Sequence, residues 1–430
     1  EQQVRGITYY LKYYNLDLKA KFSNDWFDIY GMVSLKDFEF PFILLRKNIL
    51  KGIREYTLPN GEVFIIPEEW FTRYKPLFIV GRSDGDSLAV GRSCFGFIQD
   101  AEIDCPEATA LTSRFNSVAA SQQVVIPHDF NTELREYQKL GLFWMQILNE
   151  SRIGGCLADD MGLGKTVQTL AALQYDLESR KTNGSPIKED GILQMGHTSL
   201  LVVPTSLIFN WQREIKRFTP NLSVYQFTGP NRTKSISKLI KYDIVITTYG
   251  ILRNEIDLLK DVRFNYVVLD ESQTIKNPSS KVYRSALLLK GKHFLTLSGT
   301  PIENSLTDLW AQINFINRGM LGSLKSFREE YIQPIDRKNE QQINRLKELV
   351  QPFILRRTKQ EVAPELPELN EQVVYCNLSD DQKVIYEKEK STIRNQLIEN
   401  IDSLGYSQSA ISIFRGLTRL LSNRQSPHHA

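Results

Sequence analysis

The chain has few of the residues and patterns that mark secreted, membrane-spanning or metal-binding proteins. Its 430 residues include four cysteines, which are scattered without metal-ligand spacing. Such cysteines are typical of reduced thiols in a cytosol rather than of a disulfide framework. A run of about twenty apolar residues, which a membrane-spanning helix needs, is absent from the sequence. The first residues also lack the basic and then apolar pattern of a secretory signal, so we expect a cytoplasmic protein without a membrane partner.

The chain also lacks an excess of charge of one sign. Its 53 lysines and arginines nearly balance its 50 aspartates and glutamates, and the formal net charge is +3. A nearly neutral chain gives no general argument for nucleic-acid binding, which would need local basic patches. The first residue is Glu1 rather than methionine, and we therefore expect an internal piece of a longer protein.

The length of the chain exceeds what one hydrophobic core supports, and it predicts two or three domains. Residues 1–125 are rich in aromatic side chains and carry strand-like patterns near residues 26–33 and 63–66, which predict a small α+β domain. Its aromatic side chains either fill a core or stack on nucleic-acid bases. We expect residues 126–320 to form a central domain and residues 321–430 to form a helical extension.

Apolar runs and helical patterns alternate through the central domain. Five runs are typical of buried strands, at residues 155–158, 200–203, 243–246, 266–269 and 294–297. Continuous apolar strands that alternate with helices predict an α/β fold, in which helices cover both faces of a parallel sheet. Ligands of such sheets lie at the carboxyl ends of the strands. The residues that follow each run are therefore the candidate site residues.

The first run is followed by a candidate phosphate loop, Asp159-Asp160-Met161-Gly162-Leu163-Gly164-Lys165-Thr166. Gly162 and Gly164 let the backbone N–H groups around Leu163 approach phosphate oxygens, and the next helix adds the positive end of its dipole. Lys165 brings a full charge to the β- and γ-phosphates, and the Thr166 hydroxyl can ligate Mg²⁺. The loop departs from the usual pattern at Asp159, where glycine or alanine is common.

The run at residues 266–269 is followed by two carboxylates, Asp270 and Glu271. In nucleotide hydrolases of this architecture the first carboxylate holds Mg²⁺, usually through water, and the second polarises the attacking water. Either residue could instead cap a helix or be solvated. Gln138 precedes the loop and can read an adenine edge, because its amide both donates and accepts. The alternative for Gln138 is an ordinary exposed polar residue.

Hydroxyl-bearing residues follow the remaining apolar runs. They are Thr205, Ser206, Thr247, Thr248, Ser298 and Thr300. Such hydroxyls could hold a nucleic-acid backbone, although each could equally cap a helix. Their repetition at successive strand ends favours a shared binding edge.

The order of these motifs resembles the first half of a helicase-type motor, and the residues within them are similar to those of the Swi/Snf family of DNA translocases. That family's loop typically begins with an acidic residue, so the resemblance makes Asp159 a family trait. In the loop, Asp160 replaces the family's usual Glu. In the motif that begins with Asp270 and Glu271, Gln273 stands where the family has His, which leaves the coupling of this motif to the Ser298 motif open. Residues 352–359 resemble the family's segment after the first lobe. Its basic side chains, Arg356, Arg357 and Lys359, either are solvated or contact DNA or an opposite lobe.

The resemblance implies a RecA-like first motor lobe that binds ATP and Mg²⁺. It also implies a monomeric, ATP-driven translocase on double-stranded DNA, gripping the backbone with little sequence preference and acting on DNA-bound proteins. In a bacterium such a protein would associate with the nucleoid. We expect the chain to end before the second lobe, whose arginines promote hydrolysis, and therefore to turn over ATP poorly. Two alternatives stay open: an RNA or strand-separating helicase, and a non-hydrolysing scaffold built on a motor fold.

Overall fold

A computed structural model describes the chain at residues 3–4, 7–10, 13–23, 25–120, 124–182, 188–189, 192–193, 197–299, 305–362, 379–404 and 418. Residues 1–366 form one compact unit and residues 367–430 form a second. The domain boundaries predicted near residues 125 and 320 both fall within the first unit, and they stay predictions. Among the described residues, none of the helices combines the length and the apolar character that crossing a membrane requires.

The amino-terminal region is built from short strands and helices, as its pattern predicts. Its strands are β1 (Gln3–Val4), β2 (Ile7–Tyr10), β3 (Tyr14–Ser23), β4 (Trp26–Leu35), β5 (Glu39–Pro41), β6 (Glu55–Thr57), β7 (Val63–Ile65), β8 (Arg82–Asp84) and β9 (Ser87–Gly91). Its helices are α1 (Arg46–Lys51), α2 (Glu68–Val80), α3 (Phe95–Asp100) and α4 (Pro106–Asn116), with 3₁₀ turns at Phe42–Leu45, Arg92–Cys94 and Ser117–Ala120. The strands form two sheets, ordered β1-β2-β7-β6 and β3-β4-β9-β8, with β5 added to β4. The side chains of β4 alternate between the core and the solvent, as in a half-buried strand. Phe27 and Ile29 are buried, and Tyr30 is exposed.

The central region is an α/β layer structure around a parallel sheet. Its strands are β10 (Gly155–Leu157), β11 (Lys188–Glu189), β12 (Ile192–Leu193), β13 (Ser199–Val203), β14 (Val224–Gln226), β15 (Ile244–Thr248), β16 (Arg263–Leu269), β17 (Lys290–Leu297) and β18 (Ile354–Leu355). Seven of them form one sheet in the order β14-β15-β13-β16-β17-β10-β18. Every adjacent pair in that sheet is parallel. All the carboxyl ends therefore lie along one edge, which confirms the predicted fold class.

Helices connect these strands and follow them. They are α5 (Glu136–Ser151), α6 (Lys165–Thr182), α7 (Ile208–Phe218), α8 (Ile236–Leu239), α9 (Tyr249–Asn254), α10 (Ile256–Leu259), α11 (Lys281–Leu288), α12 (Leu306–Ile316), α13 (Leu324–Phe327), α14 (Gln333–Asp336), α15 (Glu340–Val350) and α16 (Lys359–Val362). Short 3₁₀ turns occupy Thr205–Leu207, Ser272–Ile275 and Gln351–Phe353, and a π-helical turn occupies Arg328–Ile332. Helix α6 packs between α5 and α7, while α12 packs on β10 and β17. In the second unit, α17 (Asp380–Leu404) is a single helix of 25 residues.

The five predicted apolar runs are all strands of the sheet, and they are its interior strands. The sequence-based prediction missed both edge strands, β14 and β18, because these have only three and two residues and therefore show no periodicity. Strand β18 matters for the site, since it pairs with β10 immediately before the phosphate loop. Of the helical extension predicted over residues 321–430, residues 363–378, 405–417 and 419–430 lie outside the described residues.

The amino-terminal region packs on the central region through aromatic side chains. Phe95 and Phe115 stack with ring centroids 5.7 Å apart, and both meet Phe353 edge-on, just before β18. Arg92 adds a hydrogen bond of 2.7 Å to the carbonyl of Ser151 at the end of α5. For two aromatic residues of the amino-terminal region, Phe95 and Phe115, the core alternative is confirmed, because both are buried.

Candidate nucleotide-binding site

The phosphate loop lies between β10 and α6, at the carboxyl edge of the sheet. Gly162 and Gly164 have φ angles of +89° and +77°, a conformation that favours glycine. A Cβ atom at Gly164 would lie 2.6 Å from Nε2 of Gln138, so the loop also needs glycine there for close approach. The Lys165 ammonium donates hydrogen bonds to the loop's own carbonyls, at 2.7 Å to Asp159 and 3.4 Å to Asp160. The loop is thus folded around its lysine.

Gln138 lies beside this loop rather than on an exposed helix face. Its Oε1 accepts from the backbone N–H of Arg135 at 3.0 Å, and its Nε2 donates to the carbonyl of Leu163 at 3.3 Å. The Tyr137 hydroxyl donates to the same carbonyl at 3.1 Å. Gln138 is buried, so the alternative of an ordinary exposed polar residue is wrong. The structure brings the predicted adenine-reading side chain within hydrogen-bonding distance of the loop.

Asp270 follows β16 and is held by groups of three residues, Trp211, Tyr249 and Glu271. Its carboxylate accepts from the indole N–H of Trp211 at 2.7 Å and from the backbone N–H of Glu271 at 3.0 Å. The Tyr249 hydroxyl donates to the Asp270 carbonyl at 2.6 Å. Burial raises the pKa of the Asp270 carboxyl above its ordinary value and the charge of Glu271 raises it further, against the opposing effects of Trp211 and Lys165. The groups of the protein therefore do not fully compensate for the burial of the ionised Asp270 carboxylate.

Glu271 and Gln273 connect Asp270 to the next strand of the sheet. Glu271 has φ 50° and ψ 54°, a left-handed conformation that is unfavourable for a residue with a side chain. Its carboxylate accepts from Nε2 of Gln273 at 2.8 Å, and Oε1 of Gln273 accepts from the Ser298 hydroxyl at 3.3 Å. Gln273 therefore links the acidic pair to the Ser298 motif through hydrogen bonds.

Thr166 is the second residue of α6, and it lies near another acidic side chain, that of Glu214 in α7. Burial raises the pKa of the Glu214 carboxyl, and the hydrogen bond from Asn210 is the largest effect that opposes it. Among the described residues, Oε2 of Glu214 is buried and has no hydrogen-bond partner. A buried carboxylate oxygen without a donor next to the Thr166 hydroxyl is an environment that favours a cation.

Lys165 and Asp270 lie at the same edge of the sheet, although 105 positions of sequence separate them. The loop follows β10 and Asp270 follows β16, and a single strand, β17, lies between these two parallel strands. The carboxylates of Asp270 and Glu271 follow β16 at this edge, and that of Glu214 lies near Thr166. Mg²⁺ is usually bound by one or two carboxylates together with substrate phosphates, so these residues fit a magnesium–triphosphate ligand.

The hydroxyl-bearing residues predicted to hold a nucleic acid divide into two groups. Thr205 and Ser206 are exposed, and Thr248 caps α9 by accepting from the backbone N–H of Ile251 at 3.3 Å. Thr247 is buried and donates to the carbonyl of Phe227 at 2.9 Å, and Ser298 is buried against Gln273. For Thr247 and Ser298 the prediction is corrected, because neither hydroxyl reaches the surface. Thr300 lies outside the described residues.

Several side chains at the site escaped the sequence analysis. Trp211 and Tyr249 hold Asp270, and their apolar surroundings in the sequence look like core positions. Arg357 has a side chain only 12% exposed and forms an ion pair with the fully buried Asp159 of the loop. None of the alternatives for the basic cluster describes Arg357, since it lies inside the lobe. Arg356 and Lys359 are exposed, and for them the alternatives stay open.

The SNF2-related domain family matches this chain over residues 137–429. The chain belongs to that family. The chain is similar to a Bacillus subtilis protein named "Putative ATP-dependent helicase/translocase YwqA", at 43% identity over 265 residues, which are 60% of this chain and 27% of the relative. It is also similar to the TATA-binding protein-associated factor mot1 of Schizosaccharomyces pombe, at 38% identity over 60% of this chain and 14% of the relative. The chain thus spans about a quarter or less of the length of these relatives.

A solved structure gives the same family. The Sulfolobus solfataricus SWI2/SNF2 ATPase core in complex with double-stranded DNA matches with a TM-score of 0.50 and 37% identity. The match covers 70% of this chain and 60% of the Sulfolobus chain. The sequence comparison and the structural comparison therefore agree on the SNF2-related family.

Proposed function

We propose that this SNF2-related chain is the nucleotide-binding part of an ATP-driven motor that translocates on double-stranded DNA and remodels protein–DNA complexes. The observation that carries the proposal is the meeting of the Lys165 loop and the Asp270–Glu271 pair at one edge of the sheet. This arrangement supports nucleotide hydrolysis, and the relatives named as ATP-dependent helicase/translocase and ATPase core support the same chemistry.

In this proposal each residue has a distinct task. Backbone N–H groups between Gly162 and Lys165 and the Lys165 ammonium bind the phosphates of ATP. Thr166 and Asp270 would hold Mg²⁺, which when bound would stabilise the negative charge that develops on the phosphoryl oxygens. Glu271 orients a water molecule for attack and accepts its proton.

Three further contacts keep these groups in place. Trp211 and Tyr249 fix the Asp270 side chain and backbone. Gln273 restrains one Glu271 carboxylate oxygen and leaves the other for a water molecule. Gln138 reads the adenine edge from beside the loop, once its bonds to Arg135 and Leu163 are shared or exchanged with the base.

The DNA part of the proposal rests on the family and on the exposed strand-end residues. Thr205 and Ser206 follow β13 at the same edge as the nucleotide site, where their hydroxyl and N–H groups can contact phosphates. The solved relative in complex with double-stranded DNA supports a duplex as the partner. Contacts to the backbone predict binding with little sequence preference and a strong dependence on salt.

The experiment that tests this function compares ATP hydrolysis by the full-length protein with duplex DNA, single-stranded DNA and RNA. The proposal predicts the strongest stimulation by duplex DNA, without displacement of one strand from the other. Stimulation by RNA or single strands would favour the RNA or strand-separating helicase. Tight ATP binding without phosphate release under any of these conditions would favour the non-hydrolysing scaffold.

A further inference from the structure

A buried polar network lies beneath the phosphate loop and centres on Arg357. Its Nε donates to Oδ1 of Asp159 at 2.9 Å, and its Nη2 donates to Oε1 of Gln168 at 2.8 Å. Nη2 also donates to Oδ2 of Asp159, and Nη1 donates to the carbonyl of Tyr137. Asp159 and Gln168 are both fully buried. One guanidinium therefore joins the first residue of the loop, helix α6 and the start of helix α5.

The backbone around Arg357 also runs along the loop. The carbonyl of Leu355 accepts from the N–H of Ala158 at 2.7 Å, and the carbonyl of Arg357 accepts from the N–H of Asp160 at 3.0 Å. The N–H of Lys359 donates to Oδ2 of Asp160 at 3.1 Å. These bonds continue the pairing of β18 with β10 past the end of the strand. Residues 355–359 thus form a side wall of the loop.

Gly141 in α5 shows how tightly this network is packed. A Cβ atom there would lie 1.9 Å from Oε1 of Gln168 and 3.0 Å from Nη2 of Arg357. Glycine inside a helix is less stable than alanine, and its φ angle here is the ordinary helical one, so the backbone does not require it. The missing side chain is instead explained by the room that Gln168 and Arg357 need.

We propose that Arg357 is a positioning residue of the nucleotide site, an inference that rests on the proposed function. The Asp159 carboxylate occupies the loop position where small residues are common, and burial of its charge requires a paired cation. Arg357 supplies that cation with bidentate geometry, which fixes direction as well as distance. It also holds the carbonyl of Tyr137, next to Gln138. The adenine side and the phosphate side of the site are therefore set relative to each other by one side chain.

The test measures the dissociation constant of a fluorescent ATP analogue in the presence of Mg²⁺, for the full-length protein well below its unfolding temperature. Arg357→Gln is expected to weaken binding roughly ten- to a hundredfold, since misplacement of binding groups by about 1 Å has effects of this order. Adding Asp159→Asn to Arg357→Gln is expected to weaken binding little further, because both substitutions break the same contact. Independent roles would instead multiply the two effects.

Gly141→Ala provides a second test that removes no charge and no hydrogen-bonding group. It should raise the intrinsic stability of α5 and yet weaken ATP binding, because the new Cβ displaces Gln168 and Arg357. It carries the test alone if Arg357→Gln does not fold. Arg345→Gln is the matched control, since it breaks an ion pair to Asp100 in another part of the first unit and should leave ATP binding unchanged.

Two results would overturn the inference. The first is unchanged ATP affinity in the folded Arg357→Gln and Gly141→Ala proteins while the wild type binds ATP, even if their unfolding temperatures fall. That result would assign the network to stability alone and leave the proposed function intact. The second is a wild type that does not bind ATP, which would overturn the proposed function together with the inference.

Discussion

The two edges of the parallel sheet place an aspartate in opposite electrostatic environments. Asp243 stands just before β15, at the amino edge, and accepts hydrogen bonds from the N–H and hydroxyl of Ser223 and from His197, at 2.6 to 2.8 Å. Burial raises its pKa, but the bonds from His197 and Ser223 outweigh burial and bring the pKa to about 2. Asp270 stands just after β16, at the carboxyl edge, and there burial prevails and raises the pKa.

The difference separates stability from function within one sheet. At the amino edge, His197 and Ser223 donate hydrogen bonds to the Asp243 carboxylate, so the ionised form of Asp243 stabilises the fold. The carboxyl edge leaves Asp270 ionised at a cost, beside Glu271 in a left-handed backbone conformation. Shifted pKa values and backbone strain of this kind concentrate at functional sites. In the proposed function, a magnesium–triphosphate ligand offsets the unfavourable charge at the carboxyl edge.

The largest expected effect of breaking the carboxyl edge is that of Glu271→Gln. This change keeps the shape of the side chain but removes the base, so turnover should fall by roughly a thousandfold. The dissociation constant for ATP should stay within about threefold, because the phosphates contact other groups. Phosphate release and ATP binding by the full-length protein measure the two effects. Glu68→Gln, on the exposed side of the amino-terminal region, is the control, and equal turnover in both variants would contradict the role of Glu271.

Lys165→Ala should have the next largest effect and should act on binding. The ammonium is a charged donor to the phosphates, and loss of such a bond corresponds to roughly ten- to a hundredfold in affinity. Equilibrium titration with ATP measures the loss. Lys260→Ala removes an exposed lysine that pairs with Asp257 and should leave ATP affinity unchanged. If the two lysine variants bind ATP equally well, the loop does not bind the phosphates.

Gln273 should have a smaller effect, which acts through its two partners. Gln273→Ala releases Glu271 and Ser298, and the loss of about one net hydrogen bond predicts a roughly fivefold fall in turnover with ATP affinity unchanged. Ser298→Ala should have a similar effect, and the double variant should be little worse than either single variant. Additive effects on turnover would show that Gln273 does not connect the two strand ends.

The smallest effects compare the two aspartates directly in thermal unfolding of the nucleotide-free 430-residue chain. The folded pKa of Asp243 is below its unfolded value, so its stabilising contribution is present above pH 4 and is lost as the pH falls toward 2. Asp243→Asn should therefore lower stability at neutral pH, by about 1 kcal/mol. This loss should shrink as the pH falls through that range.

Asp270→Asn should have the opposite sign. The folded pKa of Asp270 is above its unfolded value, so its ionised form destabilises the fold as the pH rises through the folded pKa. The neutral amide removes that cost, and the nucleotide-free chain should unfold at a higher temperature at neutral pH. A lower unfolding temperature in both asparagine variants would remove the distinction between the two edges.

The sequence predicts the interior of the sheet and the local parts of the site. Interior parallel strands are continuous apolar runs, and the loop glycines, Lys165 and the acidic pair are adjacent to such runs. The resemblance to a known family adds the order of the motifs. These features depend on short stretches of chain, so a sequence pattern is enough to locate them.

The rest depends on contacts between distant segments, which no local pattern encodes. Trp211 reaches Asp270 across 59 positions, and Arg357 reaches Asp159 across 198. In the sequence, Trp211 looks like a core residue of an amphipathic helix and Arg357 like part of an exposed basic cluster. The tertiary structure gives these side chains their roles, because it places Trp211 of α7 at the residue that follows β16 and pairs β18 with β10.

The central claim is that the Lys165 loop and the Asp270–Glu271 pair share one metal–triphosphate ligand, and Mn²⁺ in place of Mg²⁺ tests it most directly. Electron paramagnetic resonance of Mn²⁺ measures its affinity for the full-length protein with and without ATP, in the wild type and in Lys165→Ala and Asp270→Asn. The account predicts that ATP strengthens Mn²⁺ binding in the wild type and that either substitution removes this strengthening. Equal strengthening by ATP in all three proteins would contradict it.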